Sequence, residues 1–98
     1  MTFDFEAMLI HWRGPAPFVF APIPPDVGSE IKQISKLVTY GWGVIPVEAE
    51  IGGAAFKSSL FPRDDSYLLP VKDQVRRATQ ITVGDTVSIR MSISPPRL

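Results

Sequence analysis

The sequence predicts a mainly β fold: a small closed β-barrel with two short α-helices and an internal pseudo-twofold repeat. Three observations carry this expectation. Apolar runs of strand length are separated by proline and glycine throughout the chain. A Gly52-Gly53 pair lies between two such runs, a signal for a two-residue hairpin loop. The order strand, proline, helix, glycine, strand occurs twice, first across residues 18–51 and again across residues 67–93. Two such units in one chain suggest closure, which also removes exposed strand edges.

The first strand covers residues 3–12. Phe3, Phe5, Ala7 and Leu9 share one face, with Asp4 and Glu6 on the other. Met8, Ile10 and Trp12 then fall on the Asp4 face, so this strand is expected to end covered on both sides. Arg13-Gly14-Pro15 breaks it. Phe18, Val19 and Phe20 form a short second strand, ended by Pro22, Pro24 and Pro25. A helix follows. Pro24 or Pro25 suits its first turn, Asp26 complements its N-terminal partial charge, and Val27, Ile31, Ile34 and Val38 recur at helical spacing. Tyr40-Gly41-Trp42-Gly43 supplies its exit.

Residues 44–51 and 54–61 then form a hairpin around the two glycines. If the loop is Gly52-Gly53 alone, Ile51 faces Ala54, Ala49 faces Phe56, Glu48 faces Lys57, Val47 faces Ser58 and Ile45 faces Leu60. Glu48 and Lys57 are then expected as an exposed cross-strand ion pair. Pro46 cannot donate to a ladder and marks an edge or a bulge. Residues 62–66 read as a turn, and Tyr67, Leu68 and Leu69 as a strand stopped by Pro70. Val71, Val75 and Ala78 give a second short helix with Lys72, Asp73, Arg76 and Arg77 facing out. Gly84-Asp85 turns into a last strand with Val87, Ile89, Met91 and Ile93 inward, and Pro95-Pro96 closes it.

Composition narrows the function classes. The 98 residues suit one domain, and 45% apolar content is ample for a core, so disorder is not expected. The chain has no cysteine, which excludes disulfides, thiolate metal sites and a Cys nucleophile, and it fits a reducing cytoplasm. Acids at positions 4 and 6 argue against a signal peptide, and no apolar run is long enough for a spanning helix. Ten Lys and Arg balance ten Asp and Glu; zero net charge weighs against nucleic-acid binding.

Candidate functional residues are few. His11 is the sole histidine, and no neighbouring His, acid or Cys gives it metal-ligand or catalytic spacing, so no metal and no cofactor are expected. Gly41-x-Gly43 precedes a strand and lacks the helix N-terminus that cradles phosphate. Asp64-Asp65 reads as a solvated acidic turn. Lys57-Ser58-Ser59 is the most informative polar run. Ser58 points toward the apolar side of the hairpin, where its hydroxyl must bond a strand carbonyl or line a pocket. Arg76 suits bidentate recognition of a carboxylate or phosphate, or pairs with Asp73 three residues before it. Trp42 and Tyr67 either stack on a ligand or join the core. The candidate ligand site is therefore Trp42, Lys57, Ser58, Ser59, Tyr67 and Arg76, suited to a small anionic or carboxylate-bearing ligand.

Several motifs also carry a resemblance. Gly41-Trp42-Gly43-Val44-Ile45-Pro46-Val47, Ile51-Gly52-Gly53, Phe56-Lys57-Ser58-Ser59-Leu60-Phe61-Pro62, Tyr67-Leu68-Leu69-Pro70-Val71-Lys72, Val75-Arg76-Arg77-Ala78 and Gly84-Asp85-Thr86-Val87 resemble, in order, the bacterial domain of unknown function 1905 family. The resemblance implies a double-split β-barrel, related in architecture to the swapped-hairpin barrels of bacterial transition-state regulators. It implies no activity. Three readings stand at this point. The first is a non-catalytic, cytoplasmic small-ligand or protein-binding accessory module. The second is a nucleic-acid-binding regulator, by analogy of fold. The third is a small enzyme, for which only Ser58, Lys57 and His11 are available. The oligomeric state is left open, with a monomer compatible.

Overall fold

The protein is described by a computed structural model over residues 1–12, 18–38 and 44–93. In chain order its elements are β1 (Thr2–Met8), β2 (Ile10–Trp12), β3 (Phe18–Pro22), α1 (Pro25–Val38), β4 (Ile45–Ile51), β5 (Ala54–Arg63), β6 (Ser66–Pro70), α2 (Asp73–Thr79) and β7 (Thr86–Ser92). The fold is mainly β, with two helices. Its seven strands form one antiparallel sheet in the order β1-β7-β4-β5-β6-β3-β2. The sheet is curled, so that β1 also approaches β3.

Two stretches of chain turn the corner between the halves of this sheet. β5 pairs with β4 through Ala54–Leu60 and with β6 through Phe61–Arg63. The N-terminal stretch behaves alike: β1 pairs with β7, and after Leu9 the chain pairs with β3 as β2. Leu9 keeps its backbone bonded through the change. Its N–H donates to the Asp85 carbonyl and its own carbonyl accepts from Gly84 N–H, both at 2.9 Å, and its side chain is fully buried.

The core follows from period-two alternation. In β4, Ile45, Val47, Ala49 and Ile51 are buried while Pro46, Glu48 and Glu50 are exposed. In β7 and just beyond it, Val87, Ile89, Met91 and Ile93 are buried between exposed Thr86, Ser88 and Arg90. The central hairpin has the register set by the two glycines, including Val47 opposite Ser58 and Ile45 opposite Leu60. Gly52 and Gly53 have φ of 57° and 84°, the left-handed values a type I′ turn needs at both positions. Among the described residues β7 pairs with β4 only over Glu48–Ile51, and Pro46 pairs with β5 alone. α1 buries Ile31 completely, with Val27 and Ile34 packed partly against the same core.

The structure departs from the sequence expectations in several places. Met8 is 56% exposed rather than covered: it pairs with exposed Thr86 and lies on the outward face of β1 with Asp4 and Glu6. The turn after β5 is only Asp64-Asp65: Pro62 and Arg63 still pair with Tyr67 and Ser66, and Asp64 takes the positive φ of 53° that aspartate tolerates. α2 begins at Asp73, so Val71 is buried ahead of the helix, and Ala78 is exposed. Glu48 and Lys57 stand opposite each other, but no ion pair joins them. The expected interruption at 13–15, the helix exit at 40–43 and the final prolines lie outside the described residues.

Candidate functional site

Strand alternation distributes the Lys57-Ser58-Ser59 run over two faces. Lys57 is exposed on the outward side opposite Glu48, and Ser59, half-buried opposite Pro46, shares that side. Ser58 faces inward beside Val47, and its Oγ donates to the Pro70 carbonyl at 3.0 Å. That bond ties β5 to the residue where β6 ends, just ahead of α2. Ser58 thus holds a strand carbonyl. Ser58→Ala is expected to lower stability by about 0.5–1.5 kcal/mol, the net value of one such bond, by leaving the Pro70 carbonyl without this donor. Urea denaturation measures it, and unchanged stability would show that the bond contributes nothing. Tyr67 is buried within the core. Trp42 lies outside the described residues.

Arg76 is placed by α2. Pro70 ends β6, Val71 N–H donates to the Val19 carbonyl at 2.9 Å, and extended Lys72 starts the helix. Asp73 sits in its first turn and Arg76 and Arg77 in its last, each sign matching the helix dipole. Gln80 caps the helix with φ 58°, its N–H donating to the Arg76 carbonyl. Val75 and Ile81, on either side of Arg76, both pack on the core. The Arg76 backbone is therefore fixed from both directions. Its side chain is only 27% exposed and its Nη2 donates to Asp73, the i,i+3 pairing open from the sequence. Its Nε is buried and has no hydrogen-bond partner among the described residues. Arg77, next to it, is exposed and has no ion-pair partner among the described residues.

Three surface clefts are lined by described residues. Asp73, Arg76, Arg77 and Ile81 line one of about 300 Å³. A second, about 430 Å³, lies between the start of α1 and the β5–β6 turn and includes Pro22, Ile23, Ser66, Tyr67 and Leu68. The third, about 540 Å³, crosses the outward face of β1, β7 and β4 at Asp4, Glu6, Glu50, Ser88 and Arg90. There Arg90 Nε donates to Asp4 Oδ1 at 2.9 Å. That hydrogen bond, with the charge of Asp4 behind it, holds the Arg90 guanidinium above its ordinary pKa. A raised basic pKa stabilises the fold at every pH below the unfolded value and is lost only as pH rises through the folded one, so this pair gives no Arg-linked transition near neutrality. None of the three clefts is lined by Lys57, Ser58 or Ser59, and Tyr67 and Arg76 fall in different ones.

No group of three or more His, Cys, Asp or Glu among the described residues is arranged to hold a metal ion, and His11 is exposed on β2. No helix among them is long and apolar enough to cross a membrane. Two features escaped the sequence reading. Phe20 and Leu68 are buried yet stand apart from the core cluster, on the strand face opposite Ala21, Tyr67 and Leu69. Ser66, read as part of a turn, donates from Oγ to the Ile23 carbonyl at 3.0 Å and lies directly under Gly28. A glycine inside an amphipathic helix is the one sequence signal that could have marked this close approach.

No curated protein matches the chain. The profile of one family, described as a domain of unknown function (DUF1905), matches residues 5–91, most of its length and all nine elements in whole or in part. The chain belongs to the DUF1905 family.

Proposed function

We propose that this chain is a non-catalytic binding module whose ligand is a small anion or carboxylate held at the α2 cleft by Arg76 and Arg77. The unsatisfied Arg76 Nε carries this reading. A guanidinium presents N–H groups as a planar fork that matches two oxygens of a carboxylate or phosphate. Asp73 takes the Nη2 donor, and the Nε donor beside it has no acceptor among the described residues. An anion that displaces Asp73 would engage both donors together, with the Arg77 charge adjacent and Ile81 as an apolar wall. The commitment of the Ser58 hydroxyl to Pro70 favours binding over nucleophilic chemistry, since a nucleophile needs a base rather than a carbonyl as its partner.

The barrel reading accompanies this function. A closed double-split barrel with two equivalent halves is supported by the matching behaviour of β5 and of Thr2–Trp12, each of which pairs first with one half of the sheet and then with the other. The antiparallel pairs β3 with β6 and β4 with β7 join corresponding strands of the two strand–helix–strand units.

Thermal denaturation in the presence of inorganic phosphate, citrate and acetate tests the binding reading. At least one of these is expected to raise Tm in a saturable way. Arg76→Ala should abolish that rise and change the apo stability by no more than about 1 kcal/mol, the scale of a surface ion pair. An undiminished rise in the variant would remove Arg76 from the site.

A further inference from the structure

β1 ends the strand order, and among the described residues it pairs only with β7. Its backbone shows which groups the other edge carries. Met1 and Ile93 exchange both hydrogen bonds, at 3.0 and 2.8 Å, so they form a hydrogen-bonded pair. Hydrogen-bonded and non-bonded positions alternate in an antiparallel ladder. Phe3, Phe5 and Ala7 therefore point their N–H and C=O toward β7, while Thr2, Asp4, Glu6 and Met8 point theirs away from it. All four side chains are exposed as well. A seven-residue strand whose outer row of donors and acceptors is unpaired among the described residues is a template for strand addition.

We infer that this edge would accept a second copy of β1, and that Asp4 and Glu6 keep it closed to one. Two copies related by a twofold axis would pair antiparallel, and burying Phe3, Phe5 and Ala7 on one side requires outward residues to oppose outward residues. Only three registers then pair five or more residues. Centred on Asp4, the pairing sets Asp4 against Asp4. Centred on Phe5, it sets Asp4 against Glu6 twice. Centred on Glu6, it sets Glu6 against Glu6. Every register brings carboxylates face to face, which destabilises a cross-strand pair. Within its own sheet Asp4 is answered by Arg90, but Glu6 faces only Ser88, so at least one uncompensated negative charge guards the edge. This inference does not rest on the α2 site, which lies on a different element.

Light scattering coupled to size exclusion tests it. The wild-type chain is expected at its monomer mass of 10.8 kDa. The isosteric double variant Asp4→Asn/Glu6→Gln, and independently Asp4→Thr/Glu6→Thr, should shift to twice that mass at the same loading. Asp4→Thr/Glu6→Pro should return to monomer, because proline removes the outward N–H at position 6 and blocks addition to that edge. Circular dichroism identifies any variant that fails to fold, and the remaining neutral variant then decides. Neutral variants that stay monomeric would overturn the inference. So would a wild-type dimer, or a dimer that survives the proline.

Discussion

Leu60→Ala is expected to lower stability by about 2–5 kcal/mol. Leu60 is fully buried and is the last β5 residue to pair with β4, opposite Ile45; the next residue, Phe61, already pairs with β6. Its side chain thus fills the core where the curled sheet turns from one half to the other. Truncation removes the transfer free energy of the lost atoms and leaves a cavity that paired backbone on both sides cannot close. A domain this size has only about 5–15 kcal/mol of total stability, so the midpoint of urea denaturation should fall by a large fraction at unchanged slope. A loss below about 1 kcal/mol would mean that the junction is loosely packed.

Gly28→Ala is the second large effect, and its sign is the informative part. Alanine in a helix interior normally gains about 1 kcal/mol over glycine. Here the added Cβ would lie 2.2 Å from Ser66 Oγ, 3.0 Å from Ser66 Cβ and 3.3 Å from Ser66 Cα. The hydroxyl can rotate away, but only by giving up its bond to the Ile23 carbonyl; the other two atoms belong to β6, held between β5 and β3. Overpacking should outweigh propensity and leave a net loss of about 1–3 kcal/mol. Ser66→Gly in the same chain removes two of the three contacts, so a double-mutant cycle should show favourable coupling. A Gly28→Ala protein as stable as wild type would show that α1 is free to shift off β6.

The parts of this fold that were legible in the sequence are those with local causes. The β4–β5 register follows from two glycines and period-two alternation, because a two-residue loop leaves no freedom to slip. The Asp73–Arg76 pairing follows from helix spacing. The pairings of β1 with β7 and β3 with β6 join residues far apart in sequence, and neither strand carries a mark of its partner. Met8 shows this: the apolar residues after it suggest a covered face, but nothing local to it says what packs over that face, and it is exposed with Asp4 and Glu6. The candidate site residues are spread over different faces for a similar reason. Lys57, Ser58 and Tyr67 are chemically suitable, but alternation directs Lys57 outward and Ser58 inward, and Tyr67 is drawn into the core. Arg76 remains because Val75 just before it and Ile81 beyond the helix end pack on the core and hold α2 at the surface.

The most direct test of the proposed site is amide chemical-shift mapping by heteronuclear NMR during titration with inorganic phosphate and with citrate. Binding at the α2 cleft predicts saturable shifts concentrated at Arg76, Arg77, Gln80 and Ile81, absent from Arg76→Ala. A lack of any saturable shift, or shifts centred elsewhere and retained in the variant, would contradict it.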